Sequence, residues 1–294
     1  MYTIEQHSEV AHGEAIPVLR LTMQNITKDW QQRFLLISDV HFDSTHCDRA
    51  MLKAHLDEAK ATGAGIISVG DWFDAMQSKQ DPRHTKGDIR PEYKKGNYFD
   101  AIVDDSIAYL DPYRDSIVGL GDGNHETAVS KKVETDLTGR LARGLGVPRL
   151  GYSGFVQFRF QRATNGGRTS VNMYYHHGSG GGGIMTKGTL RVVRQASYLP
   201  DAHILVSGHI HERWEMTTER LRCSSAGRLQ LDRQIHLQLP TYKQEFTVTG
   251  GWHVQRGAPP KPTGGAWLTF YYDSTRTHQS AMSNGIRYKT DWAE

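Results

Sequence analysis

Cysteine is nearly missing from this chain: Cys47 and Cys223 are the only two in 294 residues, and neither sits at metal-type spacing. Nothing points to a thiolate zinc site, a single structural disulfide stays open but unneeded, and reduced thiols are expected. Long apolar runs are missing too. No stretch approaches the roughly 20 residues that a membrane-spanning helix needs. The N-terminus, Met1 to His12, lacks the basic-then-apolar pattern of a secretory signal, so the reading is a cytoplasmic protein with no membrane partner. Neither sign of charge dominates: 35 Lys and Arg against 32 Asp and Glu leave a formal +3. That balance, with a pI near 8.7, tolerates an anionic substrate without requiring one. No internal repeat and no clear linker appears. The expectation is a single domain over 1–294, with a motif-bearing core at 33–212 and a mostly β part at 213–294.

Histidine, by contrast, is plentiful, with 15 in the chain. Several fall where a short apolar run meets a turn. Arg33 to Ile37 ends at Asp39-Val-His41, and Ile66 to Val69 ends at Gly70-Asp71-Trp-Phe-Asp74. Ile117 to Leu120 ends at Gly123-Asn-His-Glu126. Val171 to Tyr175 delivers His176 and His177, and His203 to Val206 delivers Gly208-His-Ile-His211. Helical spacing fills the intervals: Asp48 to Ala61 with Asp48 as N-cap, Phe99 to Leu110, Val133 to Leu145 and Lys187 to Leu199. From Arg33 to Leu120 the alternation of strand and helix predicts parallel pairing with helical crossovers. Val156 to Phe160 and Val171 to Tyr175 read as an antiparallel hairpin, and Ile16 to Leu21 as a half-buried strand. Beyond Arg213 the candidates are 229–239, 246–248 and 267–272.

Polar residues at strand ends point out of the sheet, where α/β proteins place their chemistry. An Asp and a His two apart on an extended turn face one side, so Asp39 and His41 can grip one cation. His209 and His211 share that spacing. Mixed imidazole and carboxylate ligands suit Mn2+, Fe or Zn2+ better than a purely oxygen-ligated ion. Two such pairs, a further Asp, an Asn and another His exceed one tetrahedral ion. They suit two bridged ions, about 3.5–4 Å apart, as used for in-line displacement at phosphorus.

In their order and content these blocks resemble the calcineurin-like metallophosphoesterases, whose signature is D-x-H, G-D-x-x-D, G-N-H-[DE], a His before Gly, and G-H-x-H. The resemblance spans Ser38 to Glu212. It implies a four-layer α/β/β/α fold, a β-sandwich flanked by helices, with two divalent ions at the strand ends, Mn2+ foremost. It further implies that Asp39, His41 and His211 hold one ion and that Asn124, His177 and His209 hold the other, with Asp71 bridging. A shared water would attack the phosphate ester. His125 would stabilise charge or protonate the leaving oxygen, with Asp74 accepting from its other ring nitrogen. The family places its lone histidine directly before glycine, which favours His177 over His176.

Substrate class rests on less. Arg83, His84, Lys86, Arg90, Lys94 and Lys95 lie between two metal blocks, and Trp72, Trp214, Trp252 and His253 are candidate aromatic faces for bases. These favour a phosphodiester in nucleic acid over a small-molecule monoester or a nucleotide diester. A phosphoprotein is disfavoured, because Ala75 and Met76 follow Asp74 where phosphoprotein phosphatases carry an arginine and a glycine. An inactive scaffold would have lost ligands, and none is missing. The Gly178 to Gly183 run is read as a loop, with a phosphate cradle as the alternative.

Overall fold

The computed structural model describes residues 2–11, 14–75, 87–163, 167–181, 183, 185–223, 227–246, 254, 257–273 and 285–294. Of the residues singled out above, Arg83, His84, Lys86, Met76, Trp252 and His253 lie outside these, as does most of the candidate strand at 246–248.

In chain order the strands are β1 (Tyr2–Ala11), β2 (Glu14–Ile26), β3 (Gln31–Ile37), β4 (Gly65–Ser68), β5 (Ile117–Gly121), β6 (Arg149–Gly151) and β7 (Ser153–Arg162). They continue with β8 (Arg168–His176), β9 (Ile204–Ser207), β10 (Trp214–Cys223), β11 (Leu229–Gln238), β12 (Gly265–Tyr272) and β13 (Ile286–Ala293). The α-helices are α1 (Arg49–Ala61), α2 (Tyr98–Leu110), α3 (Asn124–Val133), α4 (Leu137–Leu145) and α5 (Thr189–Tyr198).

The strands form two sheets, ordered β13-β12-β3-β4-β5-β6 and β1-β2-β7-β8-β9-β11-β10. As expected, β3, β4 and β5 pair in parallel and β7 with β8 antiparallel. The central strands β3, β4 and β5 are apolar because both faces of their sheet are covered. Along β3 the pleat sorts side chains: Phe34 and Leu36 join the layer between the sheets, Leu35 and Ile37 the layer under the helices. Between the sheets they meet Leu21, Phe158, Phe160 and Met173. On the other face, Leu52 and Leu56 of α1, Ile102 of α2 and Leu141 of α4 close the core. Beyond α5, Leu199 and Ala202 pack with Leu205, Phe155 and Tyr174 outside the second sheet. The result is a mixed α/β protein of two stacked sheets flanked by helices.

Helix α1 begins where its cap requires: Asp48 Oδ1 accepts from the Met51 N–H at 2.9 Å. One expectation needs correction. Val133 to Leu145 is not a single helix, because the chain turns left-handed at Glu134 (φ 55°) between α3 and α4. The turn expected at Asn124 and His125 is instead the first turn of α3. The Glu126 carboxylate caps it, accepting from the Gly123 N–H at 2.9 Å. The strands β1, β6, β10 and β13 were not anticipated.

Candidate metal centre

Parallel pairing sets the C-terminal ends of β3, β4 and β5 side by side, and β8 and β9 are also parallel to each other. Backbone bonds then stitch the following loops together across both sheets. The Asp39 N–H donates to Gly70 O at 3.0 Å, and the Gly208 N–H to His177 O at 2.9 Å. The His209 N–H donates to Asp39 Oδ2 at 2.8 Å. Backbone strain gathers here as well. Asp39, His41, Asp71, His209 and His211 all have left-handed φ, between 50° and 77°. Such residues cost about 1–3 kcal/mol each, and they persist where surrounding structure over-determines them, commonly at active sites. The glycines of the motifs have a steric reason. A Cβ on Gly123 would collide with the Asp71 carboxylate, and one on Gly208 with Ser38 and Asp39.

Two groups of side chains converge in this space. In the first, Asp39 Oδ1 lies 3.2 Å from His211 Nε2, and His41 Nε2 lies 3.3 Å from His211 Nε2. In the second, His177 Nε2 lies 3.1 Å from both Asp71 Oδ2 and Asn124 Oδ1, and His209 Nδ1 is 2.6 Å from Asn124 Oδ1. His125 stands between the groups, its Nε2 3.9 Å from Asp71 Oδ2 and its ring edge-on to His41. His177 is fully buried and turned into the cluster. His176 faces away, where its Nδ1 accepts from the Gly178 N–H at 2.9 Å and its ring lies edge-on to Tyr152.

Burial alone would raise the pKa of Asp39, Asp71 and Asp74, but neighbouring basic groups outweigh it. His211 brings Asp39 down to about 2. His177 and His125 carry Asp71 well below the carboxylate range, and Lys243 with His41 does the same for Asp74. Conversely, burial would lower His177, yet the Asp71 charge lifts it to about 9. Asp39, Asp71 and Asp74 are therefore ionised, whereas burial pushes the Asp43 and Glu126 carboxyls up.

This donor set fits divalent cations. Asp39 Oδ1 is buried close to His211 Nε2 yet makes no hydrogen bond among the described residues, so the two atoms are near without being aimed at each other. Donors directed at a common cation have that relation. The groups Asp39–His41–His211 and Asp71–His177–His209 each offer three ligand atoms within 4.8 Å of one another. Two imidazole nitrogens to one carboxylate oxygen in each group suit Mn2+, Fe or Zn2+.

Two site residues, Asp43 and Lys243, went unnoticed in the sequence, and Glu126 was read only as part of its motif, with no role. Asp43 accepts from the backbone N–H groups of Asp74 (2.6 Å) and Ala75 (3.0 Å), and also from the Tyr98 hydroxyl. Its place two residues after His41 repeats the Asp39–His41 interval and could have flagged it. Glu126 ties α3 to the Phe73 N–H at 2.8 Å. Lys243 donates to Asp74 Oδ1 at 2.9 Å, across 169 residues that carry no local signal.

Some expectations are corrected. The Asp74 carboxylate does not face His125 directly: Oδ1 is 3.9 Å from His125 Nδ1, which instead meets the Asp74 backbone carbonyl at 2.5 Å. The carboxylate is drawn away to His41 Nδ1, 2.8 Å off, and to Lys243. Trp72 is no platform for bases. It is buried, stacks on Phe42 and donates to Ser106 Oγ at 3.0 Å. Arg90 turns inward as well, donating to the carbonyls of Ser44 and Cys47. Lys94 and Lys95 are exposed.

Fold and site together define an α/β/β/α sandwich with a histidine–carboxylate cluster at its strand ends. No family model matches the sequence, nor does any curated protein. Solved structures do match. A conserved uncharacterized protein, described as a predicted phosphoesterase, from Streptococcus pneumoniae TIGR4 aligns at 11% identity and TM-score 0.33, over 89% of this chain and 99% of its own. Wild-type Vps29 complexed with Zn2+ from Entamoeba histolytica aligns at 8% and 0.33, over 90% and 100%. GAP50, described as the anchor in the inner membrane complex of Plasmodium, aligns at 13% and 0.39, over 90% and 85%. With TM-scores this low, the architecture is read from the chain's own strand order. Among the described residues, no helix is long and apolar enough to cross a membrane.

Proposed function

We propose that this chain is a metal-dependent phosphoesterase that hydrolyses phosphate esters with a pair of divalent ions, Mn2+ foremost. The observation that carries this reading is the convergence of two histidine–carboxylate groups, contributed by five separate strand ends, on one buried space. Asp39, His41 and His211 would hold one ion. Asn124, His177 and His209 would hold the other, and Asp71 both. The ions would supply charge neutralisation at the phosphoryl oxygens and a water of lowered pKa.

The chain's own groups do the rest. Asp39 and Asp71, ionised at neutral pH, set the negative potential that retains cations. His125 donates its Nδ1–H to the Asp74 carbonyl, which fixes the ring and directs Nε2 toward Asp71. It serves as an acid to the leaving oxygen only as imidazolium, a form that burial opposes and the Asp71 charge favours. Its backbone N–H, donating to Asp71 Oδ1 at 3.0 Å, ties the acid to the bridging carboxylate.

For the substrate we favour a phosphodiester in nucleic acid, a reading supported by two exposed lysines, Lys94 and Lys95, in the segment between the second and third metal blocks, and compatible with the small positive net charge. The test compares bis-p-nitrophenyl phosphate with p-nitrophenyl phosphate in Mn2+. Preference for the diester is expected, and preference for the monoester would move the reading to a phosphatase. Two bound ions with neither ester cleaved would leave a binding module. His125→Ala should lose roughly 10²–10⁴-fold in turnover while keeping both ions. Loss of metal in that variant would refute its assigned role.

A further inference from the structure

Lys243 is buried, as is Asp74, whose carboxylate it contacts, the side chains being 7% and 3% exposed. Its Nζ lies 2.9 Å from Asp74 Oδ1 and 2.7 Å from Glu245 Oε1. Its backbone is fastened to the metal cluster by another route. The Tyr242 N–H and the Thr241 hydroxyl both donate to the Asp39 carbonyl, at 3.0 and 2.7 Å, and the Lys243 N–H donates to Thr241 Oγ1 at 2.9 Å. Asp74 Oδ1 in turn lies 2.8 Å from His41 Nδ1, off the ring's N–H axis but at ion-pair distance. Glu245, Lys243, Asp74 and His41 thus form a continuous chain of contacts that ends on an expected ligand.

We propose that Lys243 is a positioning residue for the first cation site. Held by Glu245 and anchored to the Asp39 backbone, its ammonium pins the Asp74 carboxylate against His41 Nδ1. His41 then keeps its proton on Nδ1 and presents the Nε2 lone pair to the ion. In metal-ligating histidines a partner at the other ring nitrogen fixes both tautomer and ring orientation. The carboxylate has an alternative, because His125 Nδ1 is also within 3.9 Å. Asp43 packs against Asp74, its Oδ1 accepting from the Asp74 N–H at 2.6 Å, and an ammonium in a fixed place decides where the Asp74 carboxylate rests. Without Lys243, Asp74 is left to swing or to protonate, and His41 loses its reference. This inference rests on the proposed cation site of Asp39, His41 and His211.

The test is a Mn2+ titration by calorimetry of wild type, Lys243→Met, Lys243→Arg and the double variant Lys243→Met/Asp74→Asn. Alongside it, the 15N shifts of the His41 ring are read in metal-free protein. Lys243→Met should weaken one of the two sites about 10–100-fold and move the other little, and the His41 Nδ1–H tautomer should give way to a mixture. Lys243→Arg should keep both sites. The double variant removes both buried charges, so its melting temperature should recover while its affinity does not. Equal weakening of both sites in every variant, or an unchanged tautomer in Lys243→Met or the double variant, would overturn the proposal. If wild type binds no divalent ion, the phosphoesterase reading falls, while the tautomer measurement still decides the role of Lys243.

Discussion

The proton on His177 should be the chief competitor of the ion that His177 helps to hold. Burial pulls the ring's pKa down, but Asp71, 3.1 Å away, lifts it to about 9. A cation that takes the Nε2 lone pair must displace that proton. At pH 7 the gap is about two units at about 1.36 kcal/mol each. Affinity there should be weaker by about 2.7 kcal/mol, or roughly a hundredfold, than well above pH 9. Asp71 and Asp39 are already ionised and add nothing to the slope. Mn2+ affinity at this site should therefore rise close to tenfold per pH unit between pH 6 and 8. Calorimetry in buffers of different ionisation enthalpy should find about one proton released for this ion. The same linkage acts on the metal-free fold. The His177–Asp71 pair contributes stability that is fully present below the ordinary histidine pKa and lost as pH rises through about 9. Flat affinity from pH 6 to 8, with no proton released, would refute the reasoning.

Gly123→Ala should place a methyl group against the Asp71 carboxylate. The overpacking should cost about 1–3 kcal/mol, and metal analysis should show lost occupancy; full occupancy would mean the loop yields freely. Asp71→Asn should weaken both ions at once, and loss of one alone would count against bridging. His236 is buried, neither ring nitrogen has a hydrogen-bond partner among the described residues, and burial followed by the Arg220 charge drops its pKa to about 4. With the folded pKa below the unfolded one, its contribution is present above about pH 6.5 and lost as pH falls through 4. Denaturant melts should show wild type losing up to about 3 kcal/mol more than His236→Leu across that range, and equal losses would place the acid sensitivity elsewhere.

Local pattern was enough for whatever depends on neighbours along the chain. Short continuous apolar runs located β3, β4 and β5, period-3.6 spacing located α1 and α2, and the polar residues just past each apolar run named the members of the cluster. Asp48 capped its helix as a local rule requires, and glycine before Asn124 and before His209 marked places where a Cβ cannot fit. What the local pattern left open was partnership between distant segments. Asp74 meets Lys243 from 169 residues away, and nothing near either residue records the other. Which carboxylate faces which imidazole, that His177 rather than His176 turns inward, and that Trp72 serves the core all follow from how the two sheets stack. Side-chain identity sets what chemistry is available at a strand end. Only packing of the two sheets decides which of those groups share one low-dielectric space, because their mutual distances are properties of the tertiary fold and not of any stretch of sequence.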